Sequence, residues 1–217
     1  MSNDVAYYKG PISLQENRRF FAAVANRPVR RLVITSSGGE VEAGIALGRW
    51  VFGQRLVVEV PEYCLSSCAN YVFPAAGRKL IAPGAVVAWH GNYHHLKATG
   101  LWTDDIAARM QRYGEDAVTA RDRAHVEMER LVQLERDFFA GIGVDQYLCW
   151  IGKMPPYNVP NYYFLSREDM AGFGVTQVQT PAGYEHTEVT GLDASVEFIS
   201  LNAAVTSGKR QDSGARR

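Results

Sequence analysis

Three short segments carry residue types that could do chemistry together. Ile34-Thr35-Ser36-Ser37-Gly38-Gly39 sets two glycines after a β-branched run, where the missing Cβ atoms let backbone amides turn toward a ligand. Tyr63-Cys64-Leu65-Ser66-Ser67-Cys68-Ala69-Asn70 places two serines where a strand passes into a helix. A hydroxyl there is either an N-cap or a nucleophile, because the amide dipoles favour developing negative charge. Trp89-His90-Gly91 ends an apolar run in a histidine, a general base if a serine faces it and a satisfied core side chain otherwise. Taken singly, each segment has a plainer reading: a β-to-α turn, a cap, a core histidine. Taken in order, each at the end of a strand, they supply amide donors, a hydroxyl and a base, the parts of a nucleophilic hydrolase.

The elements that must position these residues are legible by pattern. Ser13-Leu14-Gln15-Glu16 is a capping box ahead of a short helix to Val24. Arg31–Thr35, Arg55–Val60 and Ala85–Trp89 read as buried strands, with a helix over 42–52 and a buried helix over 68–75 between them. Gly91-Asn92-Tyr93-His94-His95 reads as a turn-rich loop. Residues 104–139 read as one long polar helix or a pair of helices. One stripe there is Ile106, Met110, Tyr113 and Ala117, and a second is Met128, Leu131, Leu134 and Phe138, with Gly141 and Gly143 as the stop. Ser166 caps a short helix, and 207–217 form a polar tail expected to be disordered. Strand and helix alternate through the first ninety residues, which predicts an α/β fold on a parallel sheet, with residues 1–206 as one domain.

Composition bounds the function without naming it. The chain has 217 residues, with 23 Lys+Arg against 23 Asp+Glu, so the simplest electrostatic case for a nucleic-acid partner is absent. No run of about 18 apolar residues occurs, so no segment is expected to span a membrane. Three cysteines do not describe a disulfide scaffold, although Cys64 and Cys68 can bridge if Cys64 lies on the turn before the helix. The first residues carry no signal-peptide pattern. The chain as it stands therefore reads as cytoplasmic, and as periplasmic or secreted if a leader has been removed.

In this order, the segments resemble the proteolytic subunit of the Clp protease and its crotonase-like superfamily. Gly38-Gly39 and the helical Gly44 match a Ser-Pro-Gly-Gly-type turn, and Ser67-Cys68-Ala69 matches an Ala-Ser-Met-Gly-type nucleophile segment. Ala76-Gly77, Pro83 and Ala85–His90 fill the approach to the histidine. Tyr163–Ser166 through Phe173-Gly174-Val175 looks like the family's Phe-Leu-Ser, acidic-helix and Tyr-Gly-Leu stretch. The likeness spans about residues 30 to 178 and is closest to bacterial Clp-like proteins with a Cys-x-Ser-Ser-Cys-Ala signature, many of them exported.

The resemblance implies a Clp/crotonase-like spiral of β-β-α units with a long helical region after the central strands. It implies a peptide or protein substrate and no cofactor. Ser67 would be the nucleophile, with Ser66 the adjacent candidate, and His90 the base. The amides of Gly39 and Cys68 would form the oxyanion hole. Residues 104–139 occupy the place of the handle through which the family's rings stack, which implies a homo-oligomer and leaves any partner ATPase unassigned. One departure matters. The family's acid lies in an Arg-Asp-Arg-type segment, whereas this chain has Pro160-Asn161-Tyr162-Tyr163, which makes Asn161 the candidate third member and Asp145 and Asp169 its rivals. Two other readings follow: an inactive scaffold serving binding or assembly, and a crotonase-type acyl-thioester enzyme. A metal at His90, His94 and His95 is not expected, because their spacing fits no well-formed zinc pattern. His94 and His95 read instead as surface residues beside the substrate groove.

Overall fold

The computed structural model describes residues 4–100, 105–189, 191–192 and 194–201. β1 (Val5–Lys9) leads to α1 (Leu14–Val24), whose cap is half of the expected box. Ser13 Oγ accepts the Glu16 amide at 3.1 Å, but Glu16 pairs with Arg19 at 2.7 Å instead of reaching back. Then come β2 (Arg31–Thr35), α2 (Val41–Gly53), β3 (Val57–Val60) and β4 (Tyr63–Leu65). A π-helical turn, Cys68–Val72, follows β4, and β5 (Arg78–Ile81) and β6 (Val86–Ala88) complete the half that holds the three segments.

Five strands form one parallel sheet in the order β1-β2-β3-β5, closed by β8 (Val178–Gln179). This is a mixed α/β architecture on a parallel sheet. Beside it, β4 and β6 pair in parallel as a separate small sheet, and so do β7 (Tyr162–Leu165) and β9 (Val196–Ile199). Single bridges join the layers: Ser36 with Cys64, and Trp89 with Tyr163. Leu32 and Ile34 of β2, Val58 and Val60 of β3, and Leu47 and Val51 of α2 are all fully buried in one contiguous core.

One expectation changes, and one open alternative is decided. The loop after His90 is a helix, α3 (Tyr93–Thr99), because Asn92 Oδ1 caps it by accepting the His95 amide at 3.0 Å. Of the one long helix or pair expected, the pair is found, α4 (Asp105–Tyr113) and α5 (Ala117–Ile142), the break falling at Gly114 (φ +65°) before an Asp116 cap. The second stripe packs inward, with Met128, Leu131 and Phe138 buried. The first does not, because Tyr113 and Ala117 flank the break instead of sharing one helical face, and both are exposed. The Ile106 side chain and the expected tail at 207–217 lie outside the described residues. α6 (Arg167–Gly172) is capped by Ser166 as expected, Oγ accepting the Asp169 amide at 3.0 Å.

α2 lies against the π-helical turn so closely that a Cβ on Gly48 would sit 2.3 Å from the Tyr71 carbonyl oxygen. Backbone cannot yield as a side chain does, so Gly48→Ala should cost about 1–3 kcal/mol in urea unfolding. Gly53→Ala, in the same helix with nothing within 4 Å of its added methyl, should instead gain up to about 0.5–1 kcal/mol.

Candidate active site

The glycine turn after β2 is held open from one side by Ile12. Its amide donates to Gly38 O at 2.7 Å, and its carbonyl accepts the Glu40 amide at 2.9 Å. Gly38 (φ +89°) and Gly39 (φ +148°) take conformations that favour glycine. A Cβ on Gly39 would lie 2.1 Å from Ile12 O, and one on Gly38 would lie 2.6 Å from Ser66 Cβ and 2.7 Å from the Ser67 amide nitrogen. The turn therefore presses its backbone directly onto the serine segment. Among the described residues, no hydrogen bond uses the amide of Gly39 or of Ser67.

Parallel pairing of β4 with β6 brings the hydroxyl to the histidine. Leu65 is registered with Ala88, and the Ser66 amide donates to Ala88 O at 3.2 Å. Ser66 then turns into the left-handed region at φ +53°, a conformation that costs a non-glycine residue on the order of 1–3 kcal/mol. The turn projects Ser66 Oγ to 2.7 Å from His90 Nε2. Two further bonds lock the base's strand onto the serine's helix: Trp89 Nε1 donates to Ala69 O at 3.1 Å, and Asn70 Nδ2 to Gly91 O at 2.9 Å.

This corrects the sequence reading by one residue. Ser67, the expected nucleophile, is buried and donates its hydroxyl to Gly39 O at 2.7 Å, with its Cβ against Gly44 of α2. It is the first helical residue, so its side chain points into the α2 packing, while Ser66 occupies the strained position that faces His90. Cys68 is fully buried one residue further into the helix, and its sulfur bridges Cys64 across Ser66 and Ser67. The bridge is possible because Cys64 lies outside the helix, on β4, one step further back than the turn expected for it.

Asn161 does not reach His90. Its Nδ2 donates to Ser195 Oγ at 3.0 Å, and its carbonyl is taken by Lys153. Asp145 caps the turn at Tyr147, and Asp169 accepts the Leu201 amide at 3.3 Å. The segment that stands where the acid was expected carries a cation on its backbone: Lys153 Nζ donates to the carbonyls of Val159, Pro160 and Asn161 at 3.1, 2.9 and 2.6 Å. His90 stacks obliquely on Tyr162 with ring centroids 4.7 Å apart. Its outer edge is open to solvent, yet enclosure by surrounding protein, then the charges of Lys153 and His95, lower its pKa to about 4. The imidazole is thus a neutral base at pH 7.

Beside the pair lies a cavity of about 200 Å³ lined by Val41, Tyr71, Tyr93, His95 and Leu96 together with Ser66. A larger groove of about 450 Å³ beside Phe21, Val24 and Trp50 has neither a nucleophile nor a base. Two buried amide groups border the cavity with one atom each unused by protein, Asn70 Oδ1 and Asn92 Nδ2. Their identities are fixed, because Asn70 Nδ2 and Asn92 Oδ1 are engaged elsewhere. His94 and His95 are not the surface pair expected: His95 is buried and stacks on Trp150, and His94 Nε2 faces Val132 O at 3.3 Å. Among the described residues, no three His, Cys, Asp or Glu side chains are grouped to share a metal ion.

Behind the cavity, fully buried Glu135 of α5 accepts the Tyr71 hydroxyl and the amides of Tyr93 and His94, both at 3.2 Å. Burial pushes its carboxyl up to about 7, against those three donors. Sequence reasoning missed both Glu135 and Lys153, since neither stands out from the other charged residues of its segment. No protein-family model matches the chain, and no curated protein matches it.

Two titrations follow. The NMR midpoint of His90 should lie well below 6.5, and Lys153→Met should raise it by removing a positive neighbour. Glu135 holds its proton longer folded than unfolded. Its contribution to stability is therefore complete below about 4.5 and lost as pH rises through about 7. The urea midpoint should fall across that window, and Glu135→Gln should flatten the slope while lowering stability throughout, because its NH2 must face a donor.

Proposed function

We propose that this chain is a Clp-protease-like serine hydrolase that cleaves peptide bonds, on a Clp/crotonase-type spiral, with Ser66 in the nucleophile's place. The observation that carries the reading is the 2.7 Å contact of Ser66 Oγ with His90 Nε2 at a strained strand-to-helix turn. With its proton on Nδ1, His90 accepts the Ser66 hydroxyl proton through Nε2 as Oγ bonds to the scissile carbonyl carbon. The oxyanion falls to the amides of Gly39 and Ser67, one position before the Cys68 amide that the sequence pointed to. The imidazolium then protonates the leaving amine, and water repeats the cycle to free Ser66. No metal or nucleotide enters these steps.

Depression of the His90 pKa keeps the base neutral, and the charges that bear on it, Lys153 foremost, oppose the imidazolium instead of supporting it. The reading is therefore of a dyad, slower than a triad. Loss of the acid costs about 10⁴ in turnover in well-studied triads. The Cys64–Cys68 disulfide favours the exported alternative over the cytoplasmic one.

One observation favours a second reading, a scaffold that has lost catalysis: among the described residues, only positive charges bear on His90. A fluorophosphonate probe separates the two. Under hydrolysis it labels the wild type, Ser66→Ala abolishes labelling, Ser67→Ala retains it, and His90→Ala slows it about 10²–10⁴-fold. A wild type that stays unlabelled, or a Ser66→Ala variant that labels equally, overturns the hydrolase and leaves the scaffold.

A further inference from the structure

The cysteines stand two residues before and two residues after Ser66, in Cys64-Leu65-Ser66-Ser67-Cys68. Their Cα atoms lie 5.2 Å apart, so the chain leaves β4, presents the serine and enters the helix within one closed loop. Cys64 is fixed on the strand side by its register with Val87 of β6, the strand that leads to His90. Cys68 is fixed on the helix side, where its carbonyl accepts the Phe73 amide at 3.0 Å. Ser66, between them, holds a backbone conformation that a serine outside this context leaves. Short strand-to-helix elbows that expose a nucleophile ordinarily use glycine at these two flanking positions. Here a covalent bridge occupies both.

We propose that the Cys64–Cys68 disulfide positions the nucleophile, so that the site is assembled only in the oxidised chain. This rests on the reading of Ser66 and His90 as a hydrolytic pair. Reduction by a dithiol breaks the S–S bond, delivers two electrons and two protons to yield two thiols, and leaves the reductant as its own disulfide. Released from the bridge, Ser66 relaxes out of the left-handed region, and both its contact with His90 and the placement of the Ser67 amide are lost. Both cysteines are fully buried, so exchange requires the turn to open first, and the redox state is fixed chiefly when the chain folds.

The experiment compares protein refolded with and without dithiothreitol, and the Cys64→Ala/Cys68→Ala double variant. Redox state is verified by thiol titration under denaturing conditions: three thiols reduced, one oxidised. Folding is checked by circular dichroism. The fluorophosphonate labelling rate should fall at least about tenfold in the reduced and variant proteins, in line with the cost of misplacing groups at a reacting centre. Oxidised glutathione should restore the reduced wild type but not the variant. Equal rates in folded oxidised and reduced protein overturn the proposal. The His90 resonances and amide exchange at Asn70, which bonds to Ser66 O, supply a readout independent of activity. If the oxidised wild type does not label, the hydrolase reading fails, and these signals decide the staple alone. A change on reduction confined to residues 63–72 and His90 supports it, and unchanged spectra refute it. If the double variant does not fold, the reduced wild type decides.

Discussion

Gly38 meets Ser66 with no room for a side chain, and the site is arranged around that contact. A strand-to-helix turn and a glycine turn from a different layer approach until only hydrogen separates them. Ile12 backs the glycine turn, α2 backs the helix, and β6 lies alongside the strand. The same closeness leaves room for the left-handed Ser66 but for no side chain on Gly38, and one serine hydroxyl meets His90 while the next meets Gly39 O. Backbone, which is stiffer than any side chain, therefore sets the geometry, and the residues that carry chemistry are the ones it leaves over.

Much of this was legible because glycine, serine and histidine report backbone events. Gly38-Gly39 marked the turn, and the β-branched runs over 31–35 and 85–89 marked the strands that end at it and at His90. A one-residue ambiguity could not be removed that way. Ser66 and Ser67 differ only in which side of the first helical turn they occupy, and that depends on where β4 stops. The helix after His90 was missed because a glycine and two histidines mask a single informative cap, Asn92. The charged residues that matter were opaque for a different reason. Glu135 lies in a helix rich in exposed charges, and only burial distinguishes it. Lys153 owes its place to three carbonyls supplied by a connector whose path no local pattern encodes.

The electrostatics of the pair differ from those of an acid-supported base. Protein around the imidazole and the Lys153 charge both resist protonation, so the ground state is well prepared and the charged intermediate poorly so. Lys153, saturated by carbonyl acceptors, stays where it is. On the proposed hydrolase reading, support for the transition state falls to the oriented amides, which act on charge forming elsewhere.

The register of β4 on β6 has a consequence for how this sequence can change. Leu65 opposite Ala88 sets Ser66 and His90 at a fixed offset along two strands that hydrogen-bond in steps of two residues. The span between the serine and the histidine can lengthen or shorten in its connections, at Pro74–Gly77 or Pro83–Gly84, without moving either. A single residue gained or lost within 63–66 or 86–90 instead turns one of the two groups to the opposite face. Divergence can thus vary the length of those connections, but it must count residues inside those two short strands.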